Sequence, residues 1–320
     1  MSVGIISRIM EIDIPYYSEW LEYYDKLGVD SFYLIIYDRK NLDLKNLLKY
    51  YPEHKIKGIS YINHNQFKNN NANLVLKMNL FNITDDYLLN VDSDEFLYLD
   101  GLNIKDFISK YNDFNYFRFN WLMVPSKNDY NESLNEIFNN PSQKKYFLTQ
   151  YKSMIKRSEI KKYSITPHDF ECDSKLIKEF KEFNKFYIIH FSFRGKCDAY
   201  LKLKNQLLGD STETNIKNIL DYSKELKGFQ IPDRFLVFIG ETINKNENVN
   251  ISYNLNLDSK TDLDFIKNMI NFTEYDEFSR KLDKFINSEN CNDILLDFMP
   301  KLEIRNYFRK KNFNQKKIIF

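Results

Sequence analysis

The chain has 320 residues, 43% apolar and 16% aromatic, enough to bury a substantial core in one large domain or two. Its 46 basic and 45 acidic side chains leave a formal charge of +1, so no global field draws it to nucleic acid or anionic lipid. Any such contact is local. Glycine is the informative deficit: eight residues stand where average usage of about 7% would supply about 22. Gly4, Gly28, Gly58, Gly101, Gly195, Gly209, Gly228 and Gly240 are too far apart for G-x-G-x-x-G, a Walker A loop or G-x-S-x-G. If nucleotide phosphates bind here, something other than a glycine loop holds them.

The first hundred residues alternate between two hydrophobic periods, as repeated βα units do. Val3 to Met10 reads as a strand. Asp13 can cap a helix with an early Pro15 and an apolar stripe of Trp20, Leu21, Tyr24 and Leu27, and Gly28 stands where a left-handed stop would fall. Phe32 to Tyr37 is a second strand ending at Asp38. Asp43 caps a short helix over Leu44 to Tyr51, Ile56 to Tyr61 is a third strand, and Asn73 to Phe81 a third helix. Tyr87 to Val91 is a fourth strand that runs into Asp92-Ser93-Asp94-Glu95. Strands this apolar, spaced by helices, predict a mostly parallel sheet covered on both faces, with ligands at the carboxyl ends of its strands. Asp38 and the Asp92 to Glu95 cluster should therefore share one rim.

Further along, Tyr116 to Val124, Tyr146 to Lys156 and Phe186 to Phe193 read as strands, and beyond about residue 205 the pattern turns mainly helical. Cys172, Cys197 and Cys291 are odd in number and widely spaced, which suits a reducing compartment. Neither a basic leader with an apolar run nor an 18-residue apolar window is found, so the expected location is cytoplasmic.

Three carboxylates within four residues repel one another, and Asp92, Asp94 and Glu95 at the mouth of a buried strand invite a cation. Hard oxygens suit Mg²⁺ or Mn²⁺, which bind one or two carboxylates together with substrate phosphates. The plainer alternative is a solvated acidic turn. Of the histidines, His54, His64 and His168 read as structural or solvated, while His190 lies in an apolar strand just before Arg194-Gly195-Lys196.

Three ordered stretches carry a family resemblance: Tyr17-Ser18-Glu19-Trp20-Leu21-Glu22-Tyr23-Tyr24 through Leu27-Gly28-Val29-Asp30, then Phe32 to Asp38, then Asn90-Val91-Asp92-Ser93-Asp94-Glu95-Phe96-Leu97. Together they resemble glycosyltransferases of family 92 and related family 2 types, with a pattern E-W-(I/L)-x-Y-(H/Y)-x-x-L-G-V, a strand ending in Y-D, and a D-x-D-E-F metal motif. The match covers about residues 5 to 100, with echoes to about residue 205.

The resemblance implies a GT-A fold, that is, a Rossmann-like α/β domain, and a divalent metal bridging the diphosphate of a nucleotide sugar, foremost a UDP-sugar. Residue by residue, it implies that Asp94 binds the metal, that Asp92 contacts the ribose or donor sugar or reaches the metal through water, and that Glu95 supports the site. It further implies that Asp38 sits near the base, that His190 completes the metal shell, and that Arg194 and Lys196 touch the diphosphate. Asn73 and Lys77, on the helix before the metal strand, approach the donor or form a solvated helix face. This chain departs from the family after Tyr37-Asp38, with Arg39-Lys40-Asn41 where small polar residues are common, so the base stays open.

Inverting transfer needs a base that takes the acceptor proton. Asp169 or Glu171 can serve, and Asp169 lies where related enzymes place an acceptor-side carboxylate; an exposed acidic loop is the alternative. Trp121 is either core or an acceptor-sugar platform. The organisation expected is a catalytic domain over 1–205 and a mainly helical region over 206–320. The last twenty residues hold seven basic side chains and one acidic one among aromatics, a pattern suited to peripheral contact with the inner face of a membrane or to a plain surface helix. The reading is a metal-dependent hexosyltransferase-like enzyme acting on a glycan or glycolipid in surface polysaccharide or glycoconjugate synthesis, with no nucleic-acid partner. Two alternatives are an Asp-x-Asp phosphatase-type hydrolase, which would normally show Thr or Val where Phe96 stands, and a non-catalytic glycan-binding protein.

Overall fold

A computed structural model describes residues 1–38, 55–63, 81–124, 126, 133–140, 145–163, 169–172, 176–180, 185–191, 193–207, 275–276 and 279–280. β1 (Val3–Met10) pairs in parallel with β2 (Ser31–Asp38), from Gly4↔Ser31 to Met10↔Tyr37, and β2 pairs in parallel with β3 (Ile56–Asn63). On the other edge of β1 lies β4 (Tyr87–Asn90), again parallel, with Ile6 opposite Asn90. The first crossover runs through a 3-10 turn over Glu11–Tyr16 and α1 (Tyr17–Lys26).

After β4 come the short β5 (Glu95–Tyr98), α2 (Ile104–Lys110), β6 (Tyr116–Met123), α3 (Leu134–Asn139) and β7 (Tyr146–Lys156). A hairpin of β8 (Ile160–Tyr163) and β9 (Phe170–Cys172) forms its own small sheet, followed by β10 (Ile177–Phe180), β11 (Tyr187–His190) and α4 (Lys196–Leu207). The large sheet has the order β3-β2-β1-β4-β7-β6-β11-β5, and β10 also lies beside β6. One edge of β6 is thus shared: β10 covers Tyr116 to Phe119 and β11 covers Trp121 to Met123. Among the described residues, five of the eight strand pairs of this large sheet are parallel, so the expected parallel majority is present within a mixed sheet; β4–β7, β6–β7 and β11–β5 are antiparallel.

Both faces of the sheet are covered, and its central strands are accordingly rich in apolar residues. Val3, Ile5, Ile9, Phe32, Leu34, Leu89, Phe117, Phe119 and Met154 join one core with Trp20 and Leu21 of α1 and Phe107 of α2. Their neighbours Ile6, Tyr33, Ile35, Leu88, Tyr116 and Ile155 turn to a second, smaller core on the opposite face. The alternation within each strand divides the residues between the two layers.

The strands over Val3–Met10 and Tyr146–Lys156 fall where the sequence places them, and Gly28 adopts the expected left-handed φ of +95° after α1. Asp13 does not cap an α-helix directly. Its Oδ2 accepts the Met10 N–H at 3.0 Å within the 3-10 turn, and the α-helix begins only at Tyr17, after Pro15. The helices expected over Leu44 to Tyr51 and Asn73 to Phe81 lie outside the described residues, Phe81 apart. So does most of the region beyond 207, although Tyr275 packs its ring on Tyr200 of α4 with centroids 5.9 Å apart. No helix among the described residues is long and apolar enough to cross a membrane.

Candidate active site

β4 delivers the chain to Asp92 at the carboxyl edge of the parallel strands. There a tight turn, closed by the Glu95 N–H donating to the Asp92 carbonyl at 3.1 Å, leads straight into β5. Helix α1 fixes this turn from one side. Trp20 Nε1 and the Tyr24 hydroxyl both donate to the Glu95 carbonyl, at 3.2 and 2.9 Å, and Tyr24 in turn accepts the Leu97 N–H at 3.1 Å. Tyr23 donates to the Leu97 carbonyl at 2.8 Å. The aromatic stripe of α1 is therefore more than apolar filling: its polar tips pin the backbone that carries the acidic motif. On the far side β11 pairs antiparallel with β5, setting His190 opposite Glu95, while the Phe191 N–H donates to the Asp94 carbonyl at 2.9 Å.

These constraints bring Asp94, Glu95 and His190 together. All three are buried, and one ligand atom from each lies within 4.8 Å of the others. His190 Nε2 stands 3.6 Å from Asp94 Oδ1, and the Trp121 ring meets the imidazole edge-on at 4.5 Å between centroids. Glu95 Oε1 and His190 Nδ1 are buried with no hydrogen-bond partner among the described residues. Unsatisfied buried polar atoms are costly. Two carboxylates and an imidazole, with Glu95 Oε1 and His190 Nδ1 unpartnered among the described residues, fit a hard divalent ion such as Mn²⁺ or Mg²⁺.

Asp92 is differently placed. Its Oδ1 accepts from Arg8 Nε at 3.1 Å and Nη2 at 2.8 Å, and its Oδ2 from Lys152 Nζ at 2.7 Å. Lys152 is wholly buried and also lies 3.2 Å from Glu95 Oε2, the same oxygen that accepts the Asp92 N–H at 2.8 Å. Burial pushes the Asp92 carboxyl up, but Arg8 and Lys152 outweigh it and hold the group below the usual carboxylate range. For Glu95 burial prevails over the pull of Lys152, the Asp92 charge adds to it, and the carboxyl is pushed up to about 7. The acidic motif is thus split between Asp92, neutralised by resident cations, and the group Asp94, Glu95 and His190.

The other residues singled out from sequence are more scattered. Asp38 is the last residue of β2, paired with Asn63 on the same carboxyl edge; its side chain lies outside the described residues, as do Asn73 and Lys77 altogether. Asp169 precedes β9 on the face of the smaller core. Its Oδ2 accepts from Arg118 Nη2 at 3.0 Å and from the Tyr151 hydroxyl at 2.8 Å, and its Oδ1 from the Phe170 N–H at 2.9 Å. Burial raises this carboxyl, the Phe170 N–H opposes, and the Glu179 charge adds to the rise. Glu171 pairs with Lys162 through the backbone, and its side chain is outside the described residues.

Arg194 departs from the expected diphosphate loop. Its guanidinium is buried over the Tyr16 ring, 4.0 Å from the centroid, with Nη2 at 2.8 Å from Asp13 Oδ1 and 3.1 Å from Asp198 Oδ1. It ties the 3-10 turn after β1 to the start of α4, and the two carboxylates that turn it inward already use its charge. Lys196, the first residue of α4, is partly buried. Arg8 and Lys152 had not been singled out. The signal for Arg8 was a cation inside an apolar stretch, Ile6-Ser7-Arg8-Ile9; Lys152, among Gln150, Ser153 and Lys156 of the same strand, carried no comparable signal.

No protein-family model and no curated protein matches the chain. Among solved structures, HddC from Yersinia pseudotuberculosis is similar over 62% of this chain and 96% of its own, at 14% identity and a TM-score of 0.37. S. aureus TarS 1-349 is similar over 97% of this chain and 92% of its own, at 12% identity and a TM-score of 0.35. The same protein in complex with UDP is similar over 98% and 78%, at 12% identity and a TM-score of 0.33. Likenesses this distant bear no weight for chemistry, which rests on the chain's own residues.

Proposed function

We propose that the chain is a metal-dependent glycosyltransferase that moves a sugar from a nucleoside diphosphate donor, foremost a UDP-sugar, to a glycan hydroxyl in surface polysaccharide or glycoconjugate synthesis. The observation that carries this reading is the buried group Asp94, Glu95 and His190 at the carboxyl edge of an α/β sheet, with Glu95 Oε1 and His190 Nδ1 unpartnered among the described residues. The donor class and the inverting course come from the resemblance of the Glu19-Trp20, Tyr37-Asp38 and Asp92 to Phe96 stretches.

In this reading Asp94, Glu95 and His190 hold the ion, and Lys152 fixes Glu95 through its other oxygen. Mn²⁺ or Mg²⁺ bound there supplies a Lewis acid that offsets the negative charge gathering on the departing diphosphate. Trp121, partly exposed beside His190, offers an apolar wall for a sugar ring. Asp169 accepts the proton of the acceptor hydroxyl as its oxygen bonds to the anomeric carbon and the carbon–oxygen bond to the diphosphate breaks. The division into a catalytic part, 1–205, and a mainly helical part, 206–320, belongs to the same proposal. An Asp-x-Asp hydrolase fits less well, because Phe96 stands where such a motif normally has Thr or Val.

The test is a panel of nucleotide sugars scored by thermal stabilisation with and without Mn²⁺, on wild type and Asp94→Ala. At least one donor is expected to stabilise wild type only when Mn²⁺ is present and to leave Asp94→Ala unmoved. A wild type indifferent to every donor, or an equal response by Asp94→Ala, would sink the proposal.

A further inference from the structure

With eight dispersed glycines the chain carries no glycine-rich phosphate loop, which leaves a role beside the metal for side-chain cations. Two cations meet Asp92, and they are not equivalent. The Lys152 side chain is 0% exposed and bridges Asp92 and Glu95 from within. The Arg8 side chain is 30% exposed, so of the two only Arg8 reaches the face that solvent and ligands reach. Its position follows from the register. β4 stops at Asn90 opposite Ile6, and Arg8, two residues further along β1, stands where the chain leaves the sheet for the acidic turn. This is the carboxyl edge at which open α/β sheets bind ligands. Nε and Nη2 both engage Asp92 Oδ1, which fixes the plane of the guanidinium, and Nη1 has no partner among the described residues.

We infer that Arg8 is a donor-binding residue that meets the diphosphate of the nucleotide, and that Asp92 serves to aim it. The inference rests on the nucleoside diphosphate reading above and assigns within it a residue that the acidic motif alone does not reveal. Lys152 already gives Asp92 a buried cation, so Arg8 adds a second positive group on the accessible side. A guanidinium held rigidly by a carboxylate presents its remaining N–H groups to phosphate oxygens at little further entropic cost. Asp92 then acts as a positioning residue, its two oxygens taken up by Arg8 and Lys152.

Binding titrations of Mn²⁺ alone, and of UDP, GDP, inorganic pyrophosphate and uridine in the presence of Mn²⁺, test this on wild type, Arg8→Met and Arg8→Lys. Arg8→Met is expected to bind Mn²⁺ within about twofold of wild type while losing about tenfold or more in affinity for pyrophosphate and the nucleoside diphosphate that wild type accepts, with any uridine affinity unchanged. Arg8→Lys keeps the charge without the fork and should fall between the two, so it decides the matter if Arg8→Met does not fold. Unchanged diphosphate affinity in Arg8→Met overturns the inference and leaves the metal-site reading standing. An equal loss of Mn²⁺ affinity also overturns it, since Arg8 would then be only a counter-ion of the motif. A wild type that binds Mn²⁺ but neither pyrophosphate nor a nucleoside diphosphate removes the donor reading and this inference together.

Discussion

The two ends of the parallel strands β1, β2 and β4 carry buried carboxylates in opposite settings. At the amino end Asp85 is met by two hydroxyls, Ser31 Oγ at 3.1 Å and Tyr33 OH at 2.7 Å. Burial and the Asp85 contact raise the Tyr33 hydroxyl to about 12, so it remains a donor. Gly4 lies against this contact so closely that a Cβ there would stand 2.8 Å from Asp85 Oδ2. At the carboxyl end Asp92, Asp94 and Glu95 gather with Arg8, Lys152 and His190, and Glu95 Oε1 and His190 Nδ1 are buried without a partner among the described residues. One sheet thus builds a closed latch and an open site from the same residue type. What separates them is that both Asp85 oxygens have a partner while Glu95 Oε1 has none among the described residues, not how deeply each is buried.

That contrast can be broken from either end. The largest effect expected is from Asp169→Asn, which should retain Mn²⁺ and nucleotide binding yet lower sugar transfer by about 10²- to 10⁴-fold. Normal turnover by that variant would clear Asp169 of the base role. Next comes Lys152→Met, which strips the buried ammonium from between two carboxylates. Chemical denaturation without metal should show a loss of about 3–5 kcal/mol, partly restored by Mn²⁺. A loss that Mn²⁺ does not reduce would mean that Lys152 and the ion site are independent. At the amino end, Asp85→Ala removes the acceptor of the Tyr33 and Ser31 hydroxyls and should cost about 1–3 kcal/mol without altering Mn²⁺ affinity. Gly4→Ala, which asks Asp85 to shift, should cost about 1–2 kcal/mol by the same measurement. Weakened Mn²⁺ binding in either amino-end variant would show that the two ends are coupled and the comparison too simple.

The long strands and α1 were legible because their signal is local: a continuous apolar run for β2, apolar stretches broken by few polar residues for β1 and β7, and the Trp20, Leu21 and Tyr24 stripe with Gly28 as its stop. Asp94, Glu95 and His190 were also visible as candidates, although not that the chain pairs Glu95 with His190 across β5 and β11. Strand β5 was missed because four residues acquire extended structure only from a partner 89 to 95 positions away in sequence. Arg194 shows the same limit at a single side chain. Its loop sequence reads as an exposed cation, yet Asp13, 181 residues earlier, and Asp198, four residues later, draw it into the interior. Arg8 could have been flagged, since a charge in the middle of an apolar strand needs a buried partner, but nothing local says that Asp92 is that partner.

In the proposed site Asp94, Glu95 and His190 would hold one divalent ion. Titration of Mn²⁺ into wild type and into Asp94→Ala, Glu95→Gln and His190→Ala, read by the loss of the free-ion paramagnetic resonance signal, measures it directly. One ion per chain in wild type, with binding weakened by about tenfold or more in each variant, is the result expected. A wild type that leaves the free-ion signal unchanged, or three variants that bind as wild type does, would contradict it.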